Sequence, residues 1–348
     1  MAASLHPLDC SIARRTSRAI GLFLLFSWVC VTGAGAFGQG IPGPKGTPQS
    51  SAQILSGLNG WLFLPSELRF LQFPTFWGKA ALTAARSNTP ESADPLPAIV
   101  HFRDQLSAAG IRLILVPVPP KALALRANLP ADISSRVQTD SLTGFYEQLR
   151  SRNVEIVDLL PVLAPSNRAS AEMLYCKTDS HWSGMGCEAA AKAIAEALKT
   201  TLDPLPKSGF RSARSTVTIS GDLAELQNSG KPAGETLSLR QISTTEGKPL
   251  QADATSPLLL MGDSHTLVFH EFLAERAGLF DQLAMDTGVV PDLIGTRGSG
   301  ANAVRVSLLR RGIKDPSYLS TKKVIVWCFA AREFTESDQG WQSITLRK

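Results

Sequence analysis

Three short apolar runs, residues 112–118, 258–261 and 323–329, constrain the fold of this chain more than any other feature. Each is long enough for one strand and too uniformly apolar to have a solvent face, so each reads as a strand buried on both sides. Segments of helical length surround them. Residues 96–109 read as a helix that leads through Gly110 into the first run, which Pro119 and Pro120 stop. Residues 140–151 read as a second helix, leading into a shorter strand at 154–158. A third helix is expected at 184–199, rich in Ala and Glu, and others at 266–277 and 301–311. Strands alternating with helices predict an α/β domain, a mostly parallel sheet with helices on both faces. Such sheets bind ligands beyond the carboxyl ends of their strands. Residues 203–255 break the rhythm. Ser, Thr and Pro are frequent there and alternation is weak outside 215–219 and 236–242, so the stretch reads as an irregular or β-rich insertion.

The N-terminus stands apart. Arg14, Arg15 and Arg18 precede an apolar run at 20–31, and Ala34-Gly35-Ala36 fits a cleavage site, so residues 1–37 read as an export signal. Residues 19–37 are also long and apolar enough for an uncleaved membrane anchor. Residues 38–53, rich in Gly and Pro, read as a linker, and 54–348 as the folded domain. The whole chain of 348 residues is 44% hydrophobic and 19% charged, which suits a folded core. Residues 1–37 hold three Arg and one Asp; without them 32 basic and 29 acidic residues remain, a net charge of +3. That balance calls for no nucleic acid partner. Cys176 and Cys187 bracket one loop and are candidates for a disulfide in an oxidising compartment, whereas Cys328, inside an apolar run, reads as a buried free thiol.

Two strings carry the chemistry: Thr178-Asp179-Ser180-His181-Trp182 and Gly262-Asp263-Ser264-His265. Ser264 directly follows an apolar strand and precedes an expected helix, so its hydroxyl projects from the strand's carboxyl end where a helix N-terminus favours negative charge. Gly262 gives the backbone freedom to turn. On an extended segment residues i and i+2 share a face, so Asp179 and His181 reach one site together. His181 then takes the Ser264 proton and Asp179 orients the imidazole. Trp182 is a candidate wall for the site and Ser183 a cap for the helix that follows. His265 is expected to point elsewhere on its helix. A zinc site of Cys176, Asp179, His181 and Cys187 fits no usual ligand spacing, so no metal is called for.

The order of these strings, Asp-x-His-Trp before Gly-x-Ser, resembles the permuted bacterial branch of the SGNH/GDSL hydrolase superfamily, the AlgJ/AlgX-like alginate O-acetyltransferases. Asn59-Gly60-Trp61-Leu62-Phe63-Leu64 with Glu67-Leu68, Val116 to Lys121, and Val326-Trp327 with Arg332-Glu333 resemble other stretches of that family. No carbohydrate-binding module is expected after this region, which favours an AlgJ-like over an AlgX-like layout. The resemblance implies a three-layer α/β/α sandwich in the periplasm, with Ser264 as nucleophile, His181 as base and Asp179 as orienter. It implies acetyl transfer to an exopolysaccharide, alginate-like or cellulose-like, with a membrane-bound O-acyltransferase as donor partner and no cofactor. Gly-Asp-Ser-His departs from the usual Gly-Thr-Ser-aromatic block of the alginate enzymes, which leaves the polymer open. Arg332 reads either as a residue holding the site or polymer or as a structural ion pair. Gly300, in Gly298-Ser299-Gly300, reads either as an oxyanion donor or as part of a plain turn. A carbohydrate acetylesterase with the same triad and a non-catalytic polysaccharide-binding subunit are the alternatives.

Overall fold

The computed structural model describes residues 54–227, 234–298 and 300–346. The signal, anchor and linker expected at 1–53, and Ser299, lie outside the described residues. The strands, in chain order, are β1 (Leu55–Ser56), β2 (Leu62–Phe63), β3 (Arg112–Val118), β4 (Glu155–Ile156), β5 (Phe210–Ile219), β6 (Glu235–Thr244), β7 (Leu258–Gly262), β8 (Asp292–Gly295) and β9 (Val324–Ala330). The three apolar runs become β3, β7 and β9, the centre of a five-stranded sheet of order β4-β3-β9-β7-β8. Every pairing in it is parallel. Both β7 and β9 are buried along their whole length, which is why neither shows a polar alternation.

Side chains alternate across β9 and identify the layers. Trp327 and Phe329 share one face, where the Trp327 ring meets Phe102 of the helix Pro95–Ala108 at 5.3 Å and Trp341 at 5.8 Å. Cys328 points the other way, towards Cys187 of the helix Gly184–Leu202. The result is the expected sandwich. Local signals set its helix ends: Asp94 accepts from Leu96 N–H with Pro95 in the first turn, and the Ser183 side chain accepts from Gly186 N–H. Cys187, Ala190, Ala191, Ile194, Leu198 and Leu202 form the buried stripe of the second helix. Helices Ser141–Arg150 and Ala303–Lys314 also stand close to where the pattern places them.

The insertion at 203–255 is β-rich. β5 and β6 form an antiparallel ladder from Phe210↔Thr244 to Ile219↔Glu235. Its buried side, with Leu237 and Leu239, lies on the helix Gly184–Leu202; a Cβ at Gly184 would come within 2.5 Å of Leu239. Among the described residues no helix is long and apolar enough to cross a membrane.

Two expectations are corrected. No helix occupies 266–277. A 3-10 turn, Ser264–Thr266, opens into irregular chain with positive φ at Phe269, Leu273 and Arg276 (61°, 63° and 64°), and the next helix is Leu279–Thr287. Leu267, Val268 and Phe269 are buried in succession along this irregular chain, and the positive-φ positions break the helical hydrogen-bond pattern. Nor are Cys176 and Cys187 joined: both are buried free thiols, as is Cys328. Cys176 Sγ donates to Trp182 O at 3.3 Å while Cys187 faces the sheet, and burial pushes all three thiols well above their ordinary pKa.

Because the central strands are parallel, their carboxyl ends share one edge. β3 runs out towards Lys121, β7 towards Asp263 and Ser264, β8 towards Arg297, and β9 towards Arg332. The loop 176–182 meets this edge from the helix side: Lys121 Nζ donates to Cys176 O at 3.0 Å and to Asp179 O at 2.7 Å.

Candidate active site

At that edge the two strings come together across 83 residues of sequence. His181 Nε2 lies 2.7 Å from Ser264 Oγ, and His181 Nδ1 lies 2.6 Å from Asp179 Oδ1. An ionised carboxylate only accepts, so Nδ1 carries the proton and Nε2 presents its lone pair to the Ser264 hydroxyl. Asp179 Oδ1 also accepts His181 N–H at 3.0 Å, which fixes the i, i+2 geometry. Exposure rises outward, from 1% at Asp179 through 5% at His181 to 8% at Ser264. Ser264 is therefore the most exposed of the three residues, although all are buried. Burial raises the Asp179 pKa, but the His181 hydrogen bond and charge and the Asp222 N–H outweigh it and bring it down to about 2.

The turn that presents Ser264 is built by its neighbours. Asp263 Oδ1 accepts His265 N–H at 3.0 Å, and Asp263 Oδ2 accepts Ala330 N–H at 2.7 Å, tying the end of β7 to the end of β9. Gly262 serves closeness rather than turning: a Cβ there would lie 1.7 Å from Cys328 O. Ser264 opens the 3-10 turn, so its own N–H has no partner within that turn. With the longer helix absent, a helix dipole of several turns no longer supports negative charge here. Gly300 packs on the same turn, and a Cβ on it would lie 2.9 Å from Asp263 Cα, so its backbone runs beside the Ser264 segment.

Two of the remaining side chains, His265 and Trp182, behave differently from expectation. His265 does not point away. Its Nδ1 donates to Asp263 Oδ1 at 3.1 Å and its ring lies 4.8 Å from that of His181. Burial lowers the His265 pKa against the opposing pull of Asp263, so this second Asp–His pair is neutral at its imidazole near pH 7. Trp182 is fully buried and packs edge-on against His265 at 5.2 Å, behind the site rather than at its mouth. The ring at the mouth is the half-buried Phe272, edge-on to His181 at 5.7 Å and covered by the exposed Arg297 guanidinium at 4.4 Å. Arg332 forms the structural pair, with Nη1 3.7 Å from Glu67 Oε1 and only 12% of its side chain exposed. Burial pushes the Glu67 carboxyl up against the pull of Arg332 and Lys121.

Sequence reading missed Phe272, Lys121's hold on the loop, and two carboxylates of the insertion, Asp222 and Glu235, that also reach it. The stretch from Val116 to Lys121 was a signal for Lys121; nothing local marks Asp222 or Glu235. Asp179, His181 and Asp222 bring three potential metal-binding atoms within 4.8 Å of one another. Asp179 and Asp222 already accept N–H and O–H groups and His181 faces Ser264, so the set is occupied by protein donors.

A family model described as "SGNH hydrolase-like domain, acetyltransferase AlgX" matches residues 54–279, well over half of the chain and inclusive of all three triad positions. The chain belongs to this family. Among curated proteins it is 28% identical over 244 residues to a probable alginate O-acetylase AlgJ of Pseudomonas putida, covering 66% of this chain and 56% of that protein. It is 24% identical over 264 residues to the alginate biosynthesis protein AlgX of Pseudomonas aeruginosa, covering 70% and 52%. The chain spans about half the length of these relatives. Its fold is similar to the O-acetyltransferase domain of Pseudomonas putida AlgJ (TM-score 0.62, 24% identity, 82% of this chain and 93% of that one). It is also similar to Pseudomonas aeruginosa AlgX (TM-score 0.61, 19% identity, 83% and 63%). The SGNH-like sandwich expected from the motifs is thus the fold of this family.

Proposed function

We propose that the chain is an O-acetyltransferase that moves an acetyl group through Ser264 to hydroxyls of an exopolysaccharide. The observation that carries the reading is the Asp179–His181–Ser264 relay, at 2.6 and 2.7 Å, at the strand-end edge of a member of the AlgX acetyltransferase family. In the first step Ser264 Oγ attacks the carbonyl carbon of an acetyl ester while its proton passes to His181 Nε2. The donor alkoxide leaves and takes that proton. In the second step a sugar hydroxyl attacks the acetyl-Ser264 carbonyl, gives its proton to His181, and Ser264 Oγ departs and recovers it. Asp179 stabilises the imidazolium in both steps. The Ser264 N–H and the nearby Gly300 backbone are the donors we assign to the oxyanion.

The signal-like residues 1–37 support a periplasmic site of action, released or held at the membrane by that segment, with a membrane-bound acyltransferase supplying acetyl groups. The names of the relatives support alginate or a similar polymer as acceptor. Purified protein is incubated with an acetyl ester donor, with and without acetyl-free oligosaccharides. Mass spectrometry is expected to show acetylated sugar, and Ser264→Ala to lower its formation by at least about 10³-fold. Free acetate with no acetylated sugar assigns the triad to hydrolysis instead, and undiminished transfer by Ser264→Ala removes the triad from the mechanism.

A further inference from the structure

The loop that carries Asp179 and His181 has neither helix nor strand at residues 177–181, and an antiparallel bridge between Tyr175 and Trp182 closes only its base. The connection between β5 and β6 grips it instead. Asp222, first residue of the short helix Asp222–Gln227, donates its N–H to Asp179 Oδ2 at 3.0 Å. That is the carboxylate oxygen His181 does not use. The Asp222 side chain turns back to accept Ser180 N–H at 2.7 Å and Ser180 O–H at 2.6 Å. Glu235, which opens β6, accepts Lys177 N–H at 2.6 Å on one oxygen. Its other oxygen accepts Thr178 N–H and Thr178 O–H, both at 2.8 Å. The backbones also touch: Ala224 N–H donates to Thr178 O at 3.1 Å, and a Cβ at Gly221 would fall 2.2 Å from that oxygen.

Hydrogen bonds to ionised carboxylates are roughly twice as strong as neutral ones, and here they fall on the loop at 177, 178 and 180. Lys121 holds the carbonyls of 176 and 179 from the sheet side. With Oδ2 of Asp179 occupied by Asp222 N–H, the carboxylate cannot rotate, and Oδ1 stays aimed at His181 Nδ1. We infer that Asp222 and Glu235 are positioning residues that act through Asp179 and His181, which makes the β5–β6 insertion a working part of the site. What the dyad does rests on the acetyl-transfer reading; that the insertion sets its geometry does not.

The test uses the isosteric variants Asp222→Asn and Glu235→Gln in the whole domain. Each amide keeps one acceptor oxygen and turns an NH₂ donor towards a group that must itself donate, so each loses part of its grip. The first readout is the low-field NMR proton of His181 Nδ1–H, assigned by its loss in His181→Gln. The His270 Nδ1–H facing Asp281 at 3.0 Å serves as an internal reference for intact folding. Both variants are expected to shift or broaden the His181 proton and leave the His270 proton in place. The second readout is acetyl transfer. Each variant is expected to lower kcat by about tenfold to a hundredfold, the cost of slight misplacement of a reacting group, with the KM for acetyl donor within twofold. An unmoved His181 proton together with wild-type kcat in both variants overturns the inference. A moved proton in a protein whose Ser264→Ala form still transfers acetyl supports the positioning role and removes the acetyl-transfer reading.

Discussion

Asp263 is the residue whose chemistry most departs from a simple turn. Its two oxygens accept from His265 and from Ala330, and it stands beside the Arg332 charge. Burial alone would raise its pKa, but His265, Arg332 and the Ala330 N–H bring it down to about 2. A carboxyl whose folded pKa lies below its unfolded value of about 3.9 stabilises the fold above that value and loses the contribution as pH falls through the folded one. The stabilisation is on the order of 2 kcal/mol for a shift of this size. Urea denaturation of the wild type and of Asp263→Asn is expected to show a stability difference that shrinks as pH falls from about 4 to about 2. A difference constant over that window would mean that the charge of Asp263 is not what stabilises the turn. His265 packs between His181 and Trp182, tilted to the first ring at 4.8 Å and edge-on to the second at 5.2 Å, so the Gly-Asp-Ser-His block places a second imidazole beside the first.

Among the elements, the strand ends and the loops leaving them decide the site. β3 delivers Lys121, whose buried ammonium lies 5.8 Å from the Trp61 ring and 5.5 Å from that of Phe63 and donates to two loop carbonyls. Burial lowers its pKa, opposed by Glu67, Cys176 and Asp179. Lys121→Met keeps the apolar stem, strands both carbonyls without a donor, and is expected to cost about 2–4 kcal/mol in thermal or chemical denaturation. Acetyl transfer should fall with it, since Asp179 O is one of the two acceptors. A variant as stable as the wild type would show that water satisfies these carbonyls and that Lys121 is dispensable to the loop. The stretch Trp61 to Phe63, the stretch ending at Lys121 and Arg332 with Glu67, separate in sequence, prove to be one packed group behind the Asp179 loop.

For the molecule as a whole, one face of the sheet depends on the chain's last described segment. Trp341 is 3% exposed and packs on Trp327, Phe329 and Phe334 at 5.7–5.8 Å, while the buried Arg305 lies 5.6 Å from its ring and donates to Gln342 O at 3.0 Å. Burial draws the Arg305 pKa down to about 10, with aromatic rings as its main company. Trp341→Ala is expected to cost about 3–5 kcal/mol, read as a lower urea midpoint at unchanged slope. A loss under about 1 kcal/mol would show that the segment only covers a face already closed.

The sequence by itself determined the parallel α/β sandwich, because strands buried on both faces must be apolar throughout and their helices carry local caps at Asp94 and Ser183. It also determined the Asp179–His181 pairing, since i, i+2 spacing on an extended segment is a local fact, and its motif order pointed to the family. Tertiary structure decided the rest. Whether residues 266–277 coil into a helix depended on how the chain beyond Ser264 packs, and whether Cys176 met Cys187 depended on what each thiol faced. The bracing of the site by Asp222 and Glu235 links residues 42 to 58 positions apart, through hydrogen bonds to backbone groups that every residue carries. Contacts of that kind leave no side-chain pattern to read, so only the folded chain shows them.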